Sequence, residues 1–180
     1  YQRRVRVSAV REIREDCQRY QNDKTSNNEQ FEVIRCQRQY QLASAKIKQG
    51  DIIKLSGGQR VPADGVLLCC SNNSGAVFIN TSSLDGESSL KLKHALFNSS
   101  EIDGIMAKSF EVEAFPPNTI MSEFNGSIKC EQQLTAFNIE NTLLRGVELK
   151  NTETAFLGVL YTSYSSVRND CQFQKSWSEG

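Results

Sequence analysis

Residues that commonly bind metals are scarce in this sequence, and their spacing is unfavourable for a metal site. His94 is the only histidine, and none of the six cysteines forms a Cys-x-x-Cys pair. This pattern argues against a zinc site. Cys69 and Cys70 lie inside an apolar run, and a chain of 180 residues can bury a core without disulfides. We therefore expect reduced cysteines, as in a cytosolic domain.

Long apolar stretches and an excess of one charge are also missing. No run approaches the roughly 20 apolar residues of a membrane-spanning helix, which predicts a soluble domain. The 21 basic and 21 acidic residues cancel, and the basic residues do not alternate with aromatic ones, so nucleic acid is not an expected partner. No glycine-rich phosphate loop precedes a helix, so we expect no nucleotide cofactor in this domain.

The first part of the chain has a helical pattern. Apolar residues at three-and-four spacing predict an amphipathic helix from residue 3 to about residue 20, followed by a polar break over residues 22–30. The residues that carry this pattern are Val10, Ile13, Cys17 and Tyr20.

Beyond this break, short apolar runs bounded by turn residues predict strands and a mainly β fold, either a sandwich or a barrel-like core. The predicted strands are residues 31–34, 51–55, 66–70, 76–79, 109–115, 127–131, 147–149 and 154–161. After residue 164 the chain becomes polar and irregular or weakly helical. We divide it into an N-terminal helical segment (1–28), a β core (29–164) and an exit linker (165–180).

The segment from Thr81 to Lys91 is the strongest candidate for a functional site. Small and hydroxylated residues surround an apex of Asp85, Gly86 and Glu87, which predicts an exposed loop with a tight turn at the glycine. A carboxylate that projects from such a loop can orient or deprotonate a water, provided that another group supplies the electrophile.

Three features in one order connect this loop to a known family. Gly50-Asp51 is followed by Pro62-Ala63-Asp64-Gly65, and the acidic loop comes about twenty residues later. This order resembles the actuator domain of P-type ATPases. Leu84-Asp85-Gly86-Glu87-Ser88-Ser89-Leu90-Lys91 is similar to the Leu-Asp-Gly-Glu-Thr-Asn-Leu-Lys of the type IV, phospholipid-transporting flippases, and Leu143-Leu144-Arg145-Gly146 also matches them.

The resemblance implies a distorted jelly-roll between the second and third membrane spans of a longer parent, on the cytoplasmic face of a cellular membrane. It implies that Glu87 positions the water that hydrolyses an aspartyl phosphate, while Asp85, Gly86 and Ser88 shape the loop. It gives this domain no cofactor, and places ATP and Mg²⁺ elsewhere in the parent. The implied partners are the phosphorylation and nucleotide domains of the same chain and a phospholipid, with an accessory subunit left open.

Two alternatives stay open at this stage. One is the actuator of a cation-transporting P-type ATPase, which Asp85 disfavours because those pumps more often carry Thr-Gly-Glu. The other is a non-catalytic β interaction domain of a degenerate pump, including one fused to another enzyme. In this sequence Ser88-Ser89 replaces the flippases' Thr-Asn, which keeps the first hydroxyl. We predict that Arg145 is a structural hydrogen-bond donor rather than a phosphate ligand, and that His94 is a surface or hydrogen-bonded residue rather than a catalytic one.

Overall fold

The structure, a computed structural model, describes residues 2–72, 74–98, 110–114, 124–130, 133–162 and 172–173, with the backbone alone for 2–10 and 172–173. These residues form a long helix α1 (Gln2–Asn28), a one-turn helix α2 (Ser82–Asp85) and short 3-10 helices at Ser44–Lys46 and Ile139–Asn141. Their strands are β1 (Gln30–Arg35), β2 (Arg38–Ala43), β3 (Ile52–Ser56), β4 (Asp64–Cys70), β5 (Ala76–Asn80), β6 (Leu90–His94), β7 (Phe110–Ala114), β8 (Gly126–Cys130), β9 (Gln133–Phe137), β10 (Thr142–Leu143), β11 (Glu148–Lys150), β12 (Thr154–Tyr161) and β13 (Gln172–Phe173).

The strands form three antiparallel sheets. The largest has six strands in the order β10-β4-β12-β3-β1-β2, the smallest has the order β11-β5-β6, and the third has the order β13-β7-β8-β9. The predicted fold class, a mainly β domain of the distorted jelly-roll kind with a helical N-terminal segment, is confirmed.

Both faces of the six-stranded sheet are buried at strands β4 and β12. Because side chains alternate across a strand, Leu67 of β4 and Leu157 of β12 join one apolar cluster with residues of β5 and β11. Val66 and Phe156, their neighbours in sequence, join a second cluster with residues of β8 and β9. This arrangement explains why β4 is a continuous apolar run rather than an alternating one. Gly65 permits the close approach of β12, since a Cβ there would lie 2.5 Å from the carbonyl oxygen of Gly158.

Helix α1 continues through the segment that we predicted as a polar break, and ends at Asn28. Residues 1–28 contain neither glycine nor proline, so nothing in the backbone stops the helix near Tyr20. Its described side chains from residue 11 onward are exposed, including Ile13 and Tyr20. The prediction of a helix is confirmed, but the prediction of its end was wrong, because polar composition alone does not end a helix.

Several outer strands, β2, β6, β9 and β10 among them, are absent from the predicted set. β2 and β9 expose most of their side chains, so they lack the apolar runs on which the prediction depended. Positions 109, 115 and 131 of the predicted strands lie outside the described residues, as does the exit linker except for 172–173. Those two residues form β13, paired with β7, rather than a helix.

None of the helices formed by the described residues is long and apolar enough to cross a membrane.

The Gly50-Asp51 motif holds the six-stranded sheet together at one end. The Asp51 side chain is completely buried, and its two carboxylate oxygens each accept a 2.7 Å hydrogen bond from the guanidinium of Arg35 at the end of β1. The backbone N–H of Lys48 donates a further bond of 2.7 Å. A buried carboxylate is tolerated only when it is paired and hydrogen-bonded in this way. The motif is therefore a structural joint between β1 and the start of β3.

Candidate functional site

The candidate segment is the connection of a β-hairpin. β5 and β6 pair from Ala76 with His94 to Asn80 with Leu90, and residues 81–89 join them; we call these residues the hairpin loop. The loop begins with the single turn of α2, which we had predicted as plain loop. Gly86 then follows in the left-handed conformation with a φ of 75°. Since this region favours glycine, Gly86 can reverse the chain at the tip without strain.

Asp85 is held by hydrogen bonds from the hairpin loop and from Lys91 of β6. Its carboxylate accepts hydrogen bonds from the Thr81 hydroxyl at 2.9 Å, the Glu87 backbone N–H at 2.9 Å and the Lys91 ammonium at 2.5 Å. The hydrogen bond from Lys91, followed by that from Glu87, lowers the pKa of Asp85 to about 2. Asp85 is thus a fixed anion that sets the shape of the tip.

Lys91 links the two acids of the apex. Its ammonium lies 2.5 Å from Oδ2 of Asp85 and 3.2 Å from Oε2 of Glu87, and the hydrogen bonds that it donates to these carboxylates, that to Asp85 first, raise the pKa of Lys91. The Glu87 side chain is 60% exposed. The Asp85 side chain is 34% exposed, so Glu87 is the more exposed acid of this pair, and Lys91 restrains its position.

The Lys91→Met variant should raise the pKa of Asp85 from about 2 toward the unperturbed value of about 3.9. A lowered folded-state pKa stabilises the fold above the unfolded pKa, and this contribution is lost as the pH falls through the folded value. The stability difference between wild type and variant should accordingly disappear near pH 2. The Asp85 carboxyl carbon shift in an NMR pH titration measures the pKa.

The control for this titration is Lys129→Met, which removes another exposed ion pair, with Glu111. It should leave the titration of Asp85 unchanged. If Asp85 titrates identically in wild type and in Lys91→Met, Lys91 does not hold the apex.

A second set of contacts attaches the start of the hairpin loop to a distant part of the chain. The Ser83 hydroxyl donates a 2.8 Å hydrogen bond to the carbonyl oxygen of Gly146. The preceding backbone N–H, that of Arg145, donates a 2.7 Å bond to the carboxylate of Asp64. Burial raises the pKa of Asp64, and the bond from Arg145 opposes this shift. The Pro62-Ala63-Asp64-Gly65 and Leu143-Leu144-Arg145-Gly146 motifs therefore meet beside the hairpin loop.

The structure separates the predicted site residues by role. Asp85, Gly86 and Glu87 form the apex, and Ser88 is exposed directly after it. Arg145 supplies a backbone donor, as described, and its side chain is exposed. His94 is exposed at the end of β6.

Sequence reasoning gave no role to Thr81, Ser83 or Lys91. Lys91 stood in the matched motif, but nothing in its spacing showed which carboxylate it would bind. The partner of Ser83 lies 63 residues away along the chain, so that contact depends on the complete fold.

Comparisons with known proteins agree with this architecture. The family model of the P-type ATPase actuator domain matches residues 25–151. The phospholipid-transporting ATPase tat-1 of Caenorhabditis elegans is 35% identical over 163 residues, which cover 89% of this chain and 14% of that protein. Guanylate cyclase alpha of Plasmodium falciparum is 33% identical over 180 residues, or 96% of this chain and 4% of that protein.

Among solved structures, a zinc-transporting PIB-type ATPase in its E2.Pi state superposes with a TM-score of 0.44 at 16% identity, over 78% of this chain and 15% of that one. The chain spans only about one seventh of the length of the phospholipid-transporting relative. The family model covers the hairpin loop, both strands that carry it and the motifs that meet beside it. This chain therefore belongs to the actuator domain family of the P-type ATPases.

Proposed function

We propose that this domain promotes hydrolysis of the aspartyl phosphate of an ATP-driven phospholipid flippase. The observation that carries the proposal is the exposed Glu87 carboxylate at the tip of a braced hairpin. Asp85 beside it is less exposed and accepts hydrogen bonds from Thr81, Glu87 and Lys91, so Glu87 is the acid of the apex better placed to act on a group outside the domain. The relatives that transport phospholipids support the choice of substrate.

In this reaction the hairpin loop approaches the phosphorylation domain of the same parent chain. Glu87 accepts a proton from a water as the water oxygen attacks phosphorus in line with the leaving group. The bond between phosphorus and the aspartyl oxygen breaks, which regenerates the aspartate carboxylate and releases inorganic phosphate. Phosphoryl transfer depends mainly on positioning and electrostatics, so a restrained carboxylate on a rigid hairpin suits the step.

The two ends of the chain connect the domain to the membrane part of the parent. Residues 1–28 follow one membrane span of the parent, and 165–180 lead toward the next, with the domain on the cytoplasmic face. ATP and Mg²⁺ bind other parts of the parent. Among the described residues, no three His, Cys, Asp or Glu side chains are gathered so as to hold a metal ion, and Asp85 is already paired with Lys91.

A second candidate is an actuator domain within a protein fused to another enzyme. The observation that favours it is the match to the guanylate cyclase, which extends over 180 residues against 163 for the phospholipid-transporting relative. The two candidates differ in the other domains of the parent protein, whereas this domain has the same fold in both. A parent that forms no phosphoenzyme would indicate a domain that only binds other parts of its chain.

The experiment is to measure phosphoenzyme decay in the full-length parent after loading with labelled ATP. We expect one phospholipid from a panel of phosphatidylserine, phosphatidylethanolamine and phosphatidylcholine to accelerate decay at least about fivefold, the lower end of typical coupling between two sites. Acceleration by a monovalent or divalent cation, with no effect of any phospholipid, would instead support a cation pump. If the parent forms no phosphoenzyme, the hydrolytic role is wrong.

A further inference from the structure

One hydrogen bond ties the hairpin loop to a part of the domain outside its own two strands. The other hydrogen bonds that residues 81–89 form with described residues stay inside the loop or reach β5 and β6, as those of Asp85 do. The exception is the 2.8 Å bond from the Ser83 hydroxyl to the carbonyl oxygen of Gly146. Among the described residues, this bond is therefore the one that fixes the loop against the body of the domain.

The carbonyl that accepts this bond belongs to a well-held piece of backbone. Residues 143–147, which we call the anchor segment, connect β10 of the six-stranded sheet with β11 of the three-stranded sheet, and both end residues are buried. The Gly146 N–H donates to the carbonyl oxygen of Val61 at 2.9 Å, and the Arg145 N–H donates to Asp64 at 2.7 Å. The acceptor for Ser83 is thus part of the rigid core and does not move with the loop.

The backbone shape of the anchor segment brings it close to α2. Gly146 has a φ of 91°, in the left-handed region that favours glycine. A Cβ atom built on Gly146 would lie 3.9 Å from the Ser83 hydroxyl and 3.9 Å from the side chain of Leu84. The single turn of α2 therefore lies close over the anchor segment, where the short side chain of a serine can bridge the two.

A path of contacts leads from Ser83 to the exposed acid at the apex. Ser83 and Asp85 belong to the same turn, and Asp85 accepts a 2.9 Å hydrogen bond from the Glu87 backbone N–H. Lys91 contacts the carboxylates of both acids. The apex is therefore one connected unit, and a shift of Ser83 on the anchor segment moves the Glu87 carboxylate with it.

We propose that Ser83 is a positioning residue, whose bond to Gly146 sets where the Glu87 carboxylate stands when water attacks the aspartyl phosphate. This inference rests on the proposed function and adds the contact that holds the reacting group in place. Such a contact matters because a misplacement of about 1 Å can cost about 100-fold in rate. Ser83 itself touches no reacting atom and acts through Glu87.

The first test measures decay of the labelled phosphoenzyme in variants of the full-length parent. Ser83→Ala removes the hydroxyl and should slow decay about fivefold, equivalent to about 1 kcal/mol of transition-state stabilisation and typical of one hydrogen bond. Ser83→Thr keeps a hydroxyl at this position and should decay at nearly the wild-type rate.

Ser82→Ala is the matched control for these variants. Ser82 is an exposed serine of the same turn, and its backbone N–H rather than its hydroxyl takes part in a described hydrogen bond, to Asn80. Its replacement makes the same chemical change one residue away, so it should leave decay at the wild-type rate.

The second test determines whether Ser83 acts through Glu87, which a merely structural role would not require. Glu87→Ala leaves no carboxylate to position, so the addition of Ser83→Ala should slow decay no further. The double variant should then decay about fivefold faster than the product of the two single effects, a coupling of about 1 kcal/mol. A general loosening of the loop would instead slow decay equally in both backgrounds.

Each other result overturns the positioning role, and the two proposals fail separately. If Glu87→Ala persists while Ser83→Ala decays like wild type, Ser83 does not position Glu87 and the hydrolytic role stands. Equal slowing by Ser83→Thr or by Ser82→Ala removes the hydroxyl of Ser83 from the explanation, and equal slowing in the Glu87→Ala background shows an action independent of Glu87. If Glu87→Ala decays like wild type, the proposed function fails and the positioning role fails with it.

Discussion

Glu87→Gln in the full-length parent is expected to produce a phosphoenzyme that forms normally but decays about 10²–10⁴-fold more slowly, the usual contribution of a positioned general base. Glutamine keeps the length of the side chain and removes its ability to accept the proton from the attacking water. The contacts of Asp85 with Thr81, with the backbone of residue 87 and with Lys91 do not involve the Glu87 side chain, so the loop should keep its shape. Chase of the labelled phosphoenzyme with unlabelled ATP measures the decay.

Glu153→Gln provides the control for this result. Glu153 is also an exposed glutamate, and its backbone carbonyl rather than its side chain takes part in a described hydrogen bond, from Gly57. This variant should decay as the wild type does. A Glu87→Gln phosphoenzyme that decays at the wild-type rate would remove Glu87 from the reaction.

Asp51→Asn should destabilise the domain by about 3 kcal/mol, because breaking a buried ion pair leaves one partner without its counter-charge. In the wild type, donors from Arg35 and from the Lys48 backbone bind both carboxylate oxygens of Asp51. In the variant the amide NH₂ group replaces one of these oxygens and faces a donor instead of accepting from it. Urea unfolding of the 180-residue chain, followed by circular dichroism, measures the change. The midpoint should fall by about 1 M or more for a slope of about 1–3 kcal/mol/M.

Glu32→Gln is the matched charge removal on the same sheet. Glu32 and Lys54 form a partly exposed pair at 2.9 Å between β1 and β3, and such pairs contribute less than about 1 kcal/mol. Its midpoint should therefore move little. If the two variants shift the midpoint equally, burial of Asp51 adds nothing to the strength of its pair.

Apolar pattern made the interior strands predictable, and its absence made the outer elements unpredictable. β4 and β12 are buried on both faces, so their sequences are continuous apolar runs with turn residues at their ends. β2 exposes four of its six side chains, and its position depends on pairing with β1 rather than on its own composition. The end of α1 was mispredicted for a related reason, since its described side chains bury no face whose pattern could mark the boundary.

The candidate loop was found in sequence because it follows Gly50-Asp51 and Pro62-Ala63-Asp64-Gly65 in an order that resembles a known family, and Gly86 has the positive φ that a turn of this kind favours. The contacts that hold the loop in place are harder to predict from the sequence. Ser83 meets Gly146, and Arg145 meets Asp64, across separations that only the assembled sheets bring together. Sequence can therefore single out a candidate apex, while the groups that brace it follow from tertiary structure.

The place of β12 within the six-stranded sheet has a consequence for synthesis of the protein. Thr154–Tyr161 lies between β3 and β4, so these two strands, made about 100 residues earlier, have no permanent partner on their facing edges until residue 161 has left the ribosome. Closing such a long-range pairing is slow, and open strand edges favour aggregation. Truncations that end before residue 154 should therefore be captured by chaperones or degraded, whereas a nascent chain that extends past β12 can complete the sheet.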